Sequence, residues 1–61
     1  MSEKPKIKVL YVDDEKNNLI SFKANFRIDF DIFIAESADE GRAILDKQKI
    51  NITFCNIVYT K

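Results

Sequence analysis

The sequence predicts an α/β fold, built β-α-β-α-β around a three-stranded parallel sheet. Three observations carry that expectation. Short runs rich in Val, Ile, Leu, Tyr and Phe alternate with longer segments whose apolar residues recur at helical spacing. The first apolar run, Lys6-Ile7-Lys8-Val9-Leu10-Tyr11-Val12, ends abruptly in three acids, Asp13-Asp14-Glu15. A Ser-x-x-Glu signature, Ser37-Ala38-Asp39-Glu40, opens the second helical segment as a capping box does. Strands alternating with helices pair in parallel through right-handed crossovers.

Each element follows in order. The first strand is expected over about Lys6 to Val12, where β-branched and aromatic residues dominate. A helix follows from about Glu15 to Ile28: Leu19, Phe22, Phe26 and Phe30 fall at helical spacing and make one apolar face, with Lys16, Asn17, Lys23 and Asn25 on the wet side. The second strand is Asp31 to Ala35, through Ile32-Phe33-Ile34. The second helix, capped by Ser37, runs to about Lys49, with Ala38, Gly41 and Leu45 on one face and Ile44 beside it. Gly41 inside a helix costs up to about 1 kcal/mol against alanine; a close approach of helix to sheet would account for it. The third strand is Asn51 to Tyr59. The expected core is Val9, Leu10, Val12, Leu19, Phe22, Phe26, Ile32, Ile34, Leu45, Ile52 and Phe54. Two helices cannot cover both faces of three strands, and parallel sheets are normally covered on both. The chain therefore reads as the front half of a larger doubly wound domain.

Composition narrows the function classes. At 46% hydrophobic and 33% charged the chain is globular rather than disordered. Its 61 residues allow one domain. Ten basic residues balance ten acidic ones, so charge gives no case for nucleic acid or an anionic membrane. Lys4, Lys6 and Lys8 read as a solvated edge. No run approaches the roughly 20 apolar residues of a membrane helix, and the polar start Met1-Ser2-Glu3-Lys4-Pro5 precedes no apolar signal region. A cytoplasmic location is expected. A single cysteine, Cys55, fits a reducing compartment and is expected as an inert core residue.

Acids at the carboxyl end of a strand lie where open α/β sheets place their ligand sites. Adjacent carboxylates repel unless a cation sits between them, and Mg²⁺ is commonly held by one or two carboxylates plus waters. The alternative is structural: Asp14 caps the following helix and Glu15 favours its positive end. The two readings are compatible.

Val9-Leu10-Tyr11-Val12-Asp13-Asp14-Glu15-Lys16-Asn17-Asn18-Leu19, then Phe26, then Ala35-Glu36-Ser37-Ala38-Asp39-Glu40-Gly41 together resemble the receiver domain of two-component response regulators, from Lys6 to about Ile57. The resemblance implies half of a flavodoxin-like receiver, with sheet order 2-1-3. It implies that Asp13 and Asp14 bind Mg²⁺. It also implies that the third strand should end in the aspartate that takes phosphate from a histidine kinase. The residue there is Asn56, and Tyr59-Thr60 stands where the family usually has Met-Pro. The family's later Ser/Thr and Lys would lie beyond Lys61.

A carboxylate can attack phosphorus and form an acyl phosphate; an amide cannot do so in the usual way. The expectation is therefore a truncated, phosphorylation-incompetent receiver-like module of a phosphorelay, not an enzyme. Asp13, Asp14 and Asn56 would hold Mg²⁺ weakly. Its partner would be a histidine kinase or another receiver domain, not nucleic acid or a membrane. Self-association through an exposed third strand is also expected. The competing readings are a remnant with no activity, or a Mg²⁺-dependent phosphotransfer enzyme of another α/β family. The second is disfavoured because such enzymes space their acids as Asp-x-Asp.

Overall fold

Strand β1 spans Ile7–Val12 and lies at the centre of the sheet. A computed structural model describes residues Lys6–Asn56. Helix α1 (Lys16–Phe26), strand β2 (Phe30–Ala35), helix α2 (Ala38–Lys47) and strand β3 (Ile52–Cys55) follow. All three strands are parallel, in the order β2-β1-β3. Val9 pairs with both Ile32 and Ile52, and Val12 with both Ala35 and Cys55.

The two helices cover opposite faces. Phe22 of α1 stacks on Tyr11, ring centroids 4.4 Å apart. Gly41 of α2 lies against Val12, Leu10 and Ala35. Tyr11 and Val12 are successive residues of one strand, and successive strand residues point to opposite faces. Gly41 has the reason the sequence suggests: a Cβ there would stand 3.0 Å from Val12 Cγ2.

The start of α2 is tied as expected, with one change of partner. Glu40 N–H donates to Ser37 Oγ at 3.2 Å, but the Glu40 carboxylate accepts from Glu36 N–H, at 2.7 Å, rather than from the cap residue. Asn51 prepares β3. Its side-chain oxygen accepts from Lys8 N–H and its own N–H donates to Lys8 C=O, both at 2.9 Å.

Boundaries differ from expectation where a turn intervenes. Phe30 keeps helical spacing from Phe26, yet residues 27–29 form a turn and Phe30 opens β2. The expected strand residues 57–59, like Tyr59-Thr60, lie outside the described residues.

The core is smaller and less centred than expected. Val9, Leu10, Val12, Leu19, Ile32 and Ala35 are buried, with Phe22 and Ile34 half-buried. Phe26, Leu45, Ile52 and Phe54 are exposed, and so is Cys55, which corrects its assignment to the core. The cause is helix placement. Both α1 and α2 pack on β1 and β2, and neither backbone reaches β3. All four residues of β3 are exposed in consequence. Ala35 is buried because α2 crosses over it.

Candidate functional site

The carboxyl ends of the strands meet at Asp13, the first residue after β1. Its residue exposure is 1%, which makes it the buried charged residue among those described. Its backbone N–H donates to Ala35 C=O at 3.1 Å, which anchors it to the end of β2. Four donors converge on its carboxylate. Glu15 N–H donates to Oδ1 at 3.0 Å. Tyr11 O–H at 2.8 Å, Asn18 Nδ2–H at 3.0 Å and Asn56 Nδ2–H at 3.1 Å all donate to Oδ2. Each comes from a different place: the strand itself, the entry to α1, its first turn, and the end of β3. Asn56 N–H also donates to Val12 C=O, at 2.7 Å, and so fixes the distance between β3 and the site.

The electrostatics follow from these bonds. Hydrogen bonds to the charged form of a carboxylate favour ionisation. The Glu15 N–H, then the Tyr11 hydroxyl and the Asn56 and Asn18 amides, hold Asp13 well below the usual carboxylate range, against the opposing effect of burial. Tyr11 is pushed up, first because its hydroxyl donates to Asp13, then by burial and by the negative charge beside it.

The sequence-predicted residues are divided by this geometry. Asp13 and Asn56 are brought together; Asp14 is exposed beside them. The helix entry is tied by Asp13 and not by Asp14. Glu15 is the cap residue and makes no side-chain cap bond, while Asp13 accepts from Glu15 N–H in an Asx-type turn. Tyr11 and Asn18 were not among the expected site residues. Tyr11 stands two positions before Asp13 on the same strand face, a spacing that could have pointed to it.

Comparison with protein-family models, with curated proteins and with solved structures finds no match to this chain.

The donor set fits Mg²⁺ poorly as arranged. Three donors crowd Oδ2 and one more takes Oδ1, so of the roughly four lone-pair sites of a carboxylate one, at Oδ1, is left. Mg²⁺ requires oxygen ligands in near-octahedral geometry, whereas Asn56 presents its amide N–H₂ to Asp13, a donor and not a ligand. No cluster of three or more acidic, Cys or His side chains suited to a metal occurs among the described residues. No helix among them is long and apolar enough to cross a membrane.

Proposed function

We propose that this chain is a receiver-like module of a phosphorelay whose phosphoacceptor position is occupied by an amide. In this reading it signals by binding a histidine kinase or another receiver domain and not by accepting phosphate. The observation that supports it is Asn56: it closes β3 at the carboxyl edge of a 2-1-3 parallel sheet, with its amide nitrogen 3.1 Å from Asp13 Oδ2.

The chemistry of that substitution is specific. Phosphoryl transfer to a side chain needs a nucleophilic oxygen that displaces the donor's leaving group. The amide's nitrogen electrons are delocalised and its oxygen carries no full charge. A carboxylate in the same place would stand about 3 Å from Asp13, where like charges favour protonation of one acid or recruitment of a cation. Asn56 removes that demand and supplies a donor instead. Magnesium would then bind weakly, since Asn56 must turn its carbonyl toward the ion before Asp13, Asp14 and Asn56 can share it.

Treatment with acetyl phosphate and Mg²⁺, followed by intact-mass measurement, should show no base-labile phosphoryl adduct. An adduct on any aspartate would overturn the reading. Asn56→Asp should lower the thermal midpoint without Mg²⁺, regain it with Mg²⁺, and raise Mg²⁺ affinity at least about tenfold. A single favourable charge contact is worth on that order, since each 1.4 kcal/mol is a factor of ten. Chemical-shift changes at Asp13 and Asp14 report the binding. Purified histidine kinases and receiver domains from the same organism should include one that binds at micromolar concentration. Failure of all of them would remove the signalling role and leave the remnant reading.

A further inference from the structure

The α1 face between β1 and β3 is laid out in three rows. Alternate residues of a strand share a face, so Val9, Tyr11 and Asp13 stand on one side of β1. Val9 pairs with Ile52 and Tyr11 with Phe54. One step further, Asp13 accepts from the Asn56 side chain. Helix α1 supplies one residue to each row, because Asn18, Phe22 and Phe26 are four apart and share a helix face. Asn18 donates to Asp13 Oδ2 at 3.0 Å. Phe22 stacks on Tyr11 and tilts against Phe54, with centroids 4.4 and 5.9 Å apart. Phe26 packs on Phe22 at 4.9 Å and lines an apolar groove with Val9, Ile52 and Phe54. The row at the carboxyl edge is polar and the other two are apolar. Tyr11 belongs to both kinds. Its ring lies in the middle row, and its hydroxyl donates to Asp13 Oδ2 in the polar one, at 2.8 Å.

We propose that Tyr11 couples the carboxyl-edge site to the apolar groove: its hydroxyl registers how Asp13 Oδ2 is occupied, and its ring passes the change through Phe22 to the groove wall. This conformational link goes beyond the phosphorelay reading and does not depend on it. Tyr11, Asn18 and Asn56 share one oxygen. With about two lone-pair sites for three donors, a change in any one alters the geometry open to the others. The Tyr11 ring cannot follow its hydroxyl without moving on Phe22, because the two rings lie flat together, 14° from parallel. Close-packed side chains transmit such a displacement. Phe22 in turn touches Phe26 of α1 and Phe54 of β3, so its movement reaches the groove from both walls. Tyr11 is a positioning residue in this arrangement, and phenylalanine in its place keeps the ring while cutting the link at a single O–H.

The methyl resonances of Val9 and Ile52 read the groove, since displaced aromatic rings change the shielding of methyls beside them. Asn18→Ala is the perturbation. It removes one donor from Oδ2 at an exposed helical position where alanine favours the helix, and Asn18 does not line the groove. In the parent chain Asn18→Ala should shift both methyl sets. With Tyr11→Phe already present, the same substitution should shift them at least about threefold less, the non-additivity of coupled sites. Asn56→Ala, which enters from β3 instead of α1, should show the same dependence on Tyr11. An unchanged far-ultraviolet dichroism spectrum checks the fold of each variant.

Groove methyls that do not respond to Asn18→Ala overturn the proposal. So does a response of equal size with phenylalanine at position 11, since the change then travels along the backbone of α1 or β3. The reverse direction tests the link in the chain that keeps Tyr11, because coupling between two sites is reciprocal. Phe26→Leu, in the groove and 40% exposed, should shift the side-chain amide signals of Asn18 and Asn56, and unmoved amides overturn the proposal as well.

Discussion

Four neutral donors hold the charge of Asp13 with no cation among them, and the pH dependence of stability follows from this. The carboxyl has an ordinary value of 3.8 in the unfolded chain and is held well below it in the fold. A depressed folded value gives stability that is present above the unfolded value and is lost as pH falls through the folded one. Thermal midpoints should be flat from about pH 5 to 8 and drop progressively below about pH 4. Tyr11 works in the opposite direction: its folded value is raised above 10.0, so its contribution is complete below pH 10 and fades as pH climbs through the folded value. Tyr11→Phe separates these effects. It removes the 2.8 Å bond to Oδ2 and should lower the midpoint at neutral pH. The gap between variant and parent should hold constant through pH 4, because the unfolded carboxyl titrates alike in both, and narrow only as pH falls through the folded values of Asp13, where the bond to its charged form is lost. A midpoint unchanged at neutral pH would show that this bond contributes nothing to stability. From sequence the acids were legible, and Asn56 beside them through the resemblance, but Tyr11, Asn18 and the bonds themselves were not. Asn18 is polar in a helix and Asn56 polar at a strand end, and only the packing of α1 and β3 brings both amides to one oxygen.

Helix α2 is fixed to the sheet by the absence of a side chain. Alanine at Gly41 would gain about 1 kcal/mol of helix propensity but meet Val12 Cγ2 at 3.0 Å. Val12 is buried between helix and sheet and has little room to yield. Overpacking of this kind costs roughly 1–3 kcal/mol, so Gly41→Ala should be neutral to mildly destabilising. Gly41→Val, with two more methyls and lower helix propensity, should lose at least about 2 kcal/mol in urea denaturation. A stabilised valine variant would mean that α2 can lift off the sheet freely. This element was readable because its signals are local: Ser37 and Glu40 are three residues apart, and a lone glycine on the apolar face indicates close approach. The end of α1 was not so readable. Phe26 and Phe30 lie four apart whether the chain continues as helix or turns through 27–29 into a strand, so spacing alone cannot separate the two.

Across the whole molecule, burial is centred on β1, and Leu10, with no exposed surface, is its most enclosed apolar residue. Leu10→Ala should cost about 2–5 kcal/mol. That is comparable to the entire stability expected of 61 residues at about 0.05–0.15 kcal/mol each, so the variant should be largely unfolded by circular dichroism at 25 °C. The strand order came with the resemblance, and the opposite placement of the helices follows from that order, because right-handed crossovers that run in opposite directions along the sheet use opposite faces. The third strand was expected as an exposed edge, yet Ile52 and Phe54 were also expected in the core: their residue types describe a buried strand, and the position of the helices denies them cover. The same placement has a kinetic consequence. β1, α1 and β2 can assemble through short loops, whereas β3 returns to β1 only after the chain closes a span such as the 43 positions separating Asn56 from Asp13. Closing long spans precedes any gain from the contacts they allow, and β3 gains them from β1 alone, with neither helix backbone reaching it. Phe54→Leu should therefore accelerate unfolding and leave the refolding rate nearly unchanged. The amides of β3 should exchange with solvent by a local opening well below the global one, so that the strand bearing Asn56 detaches and re-docks while the rest of the sheet stays intact.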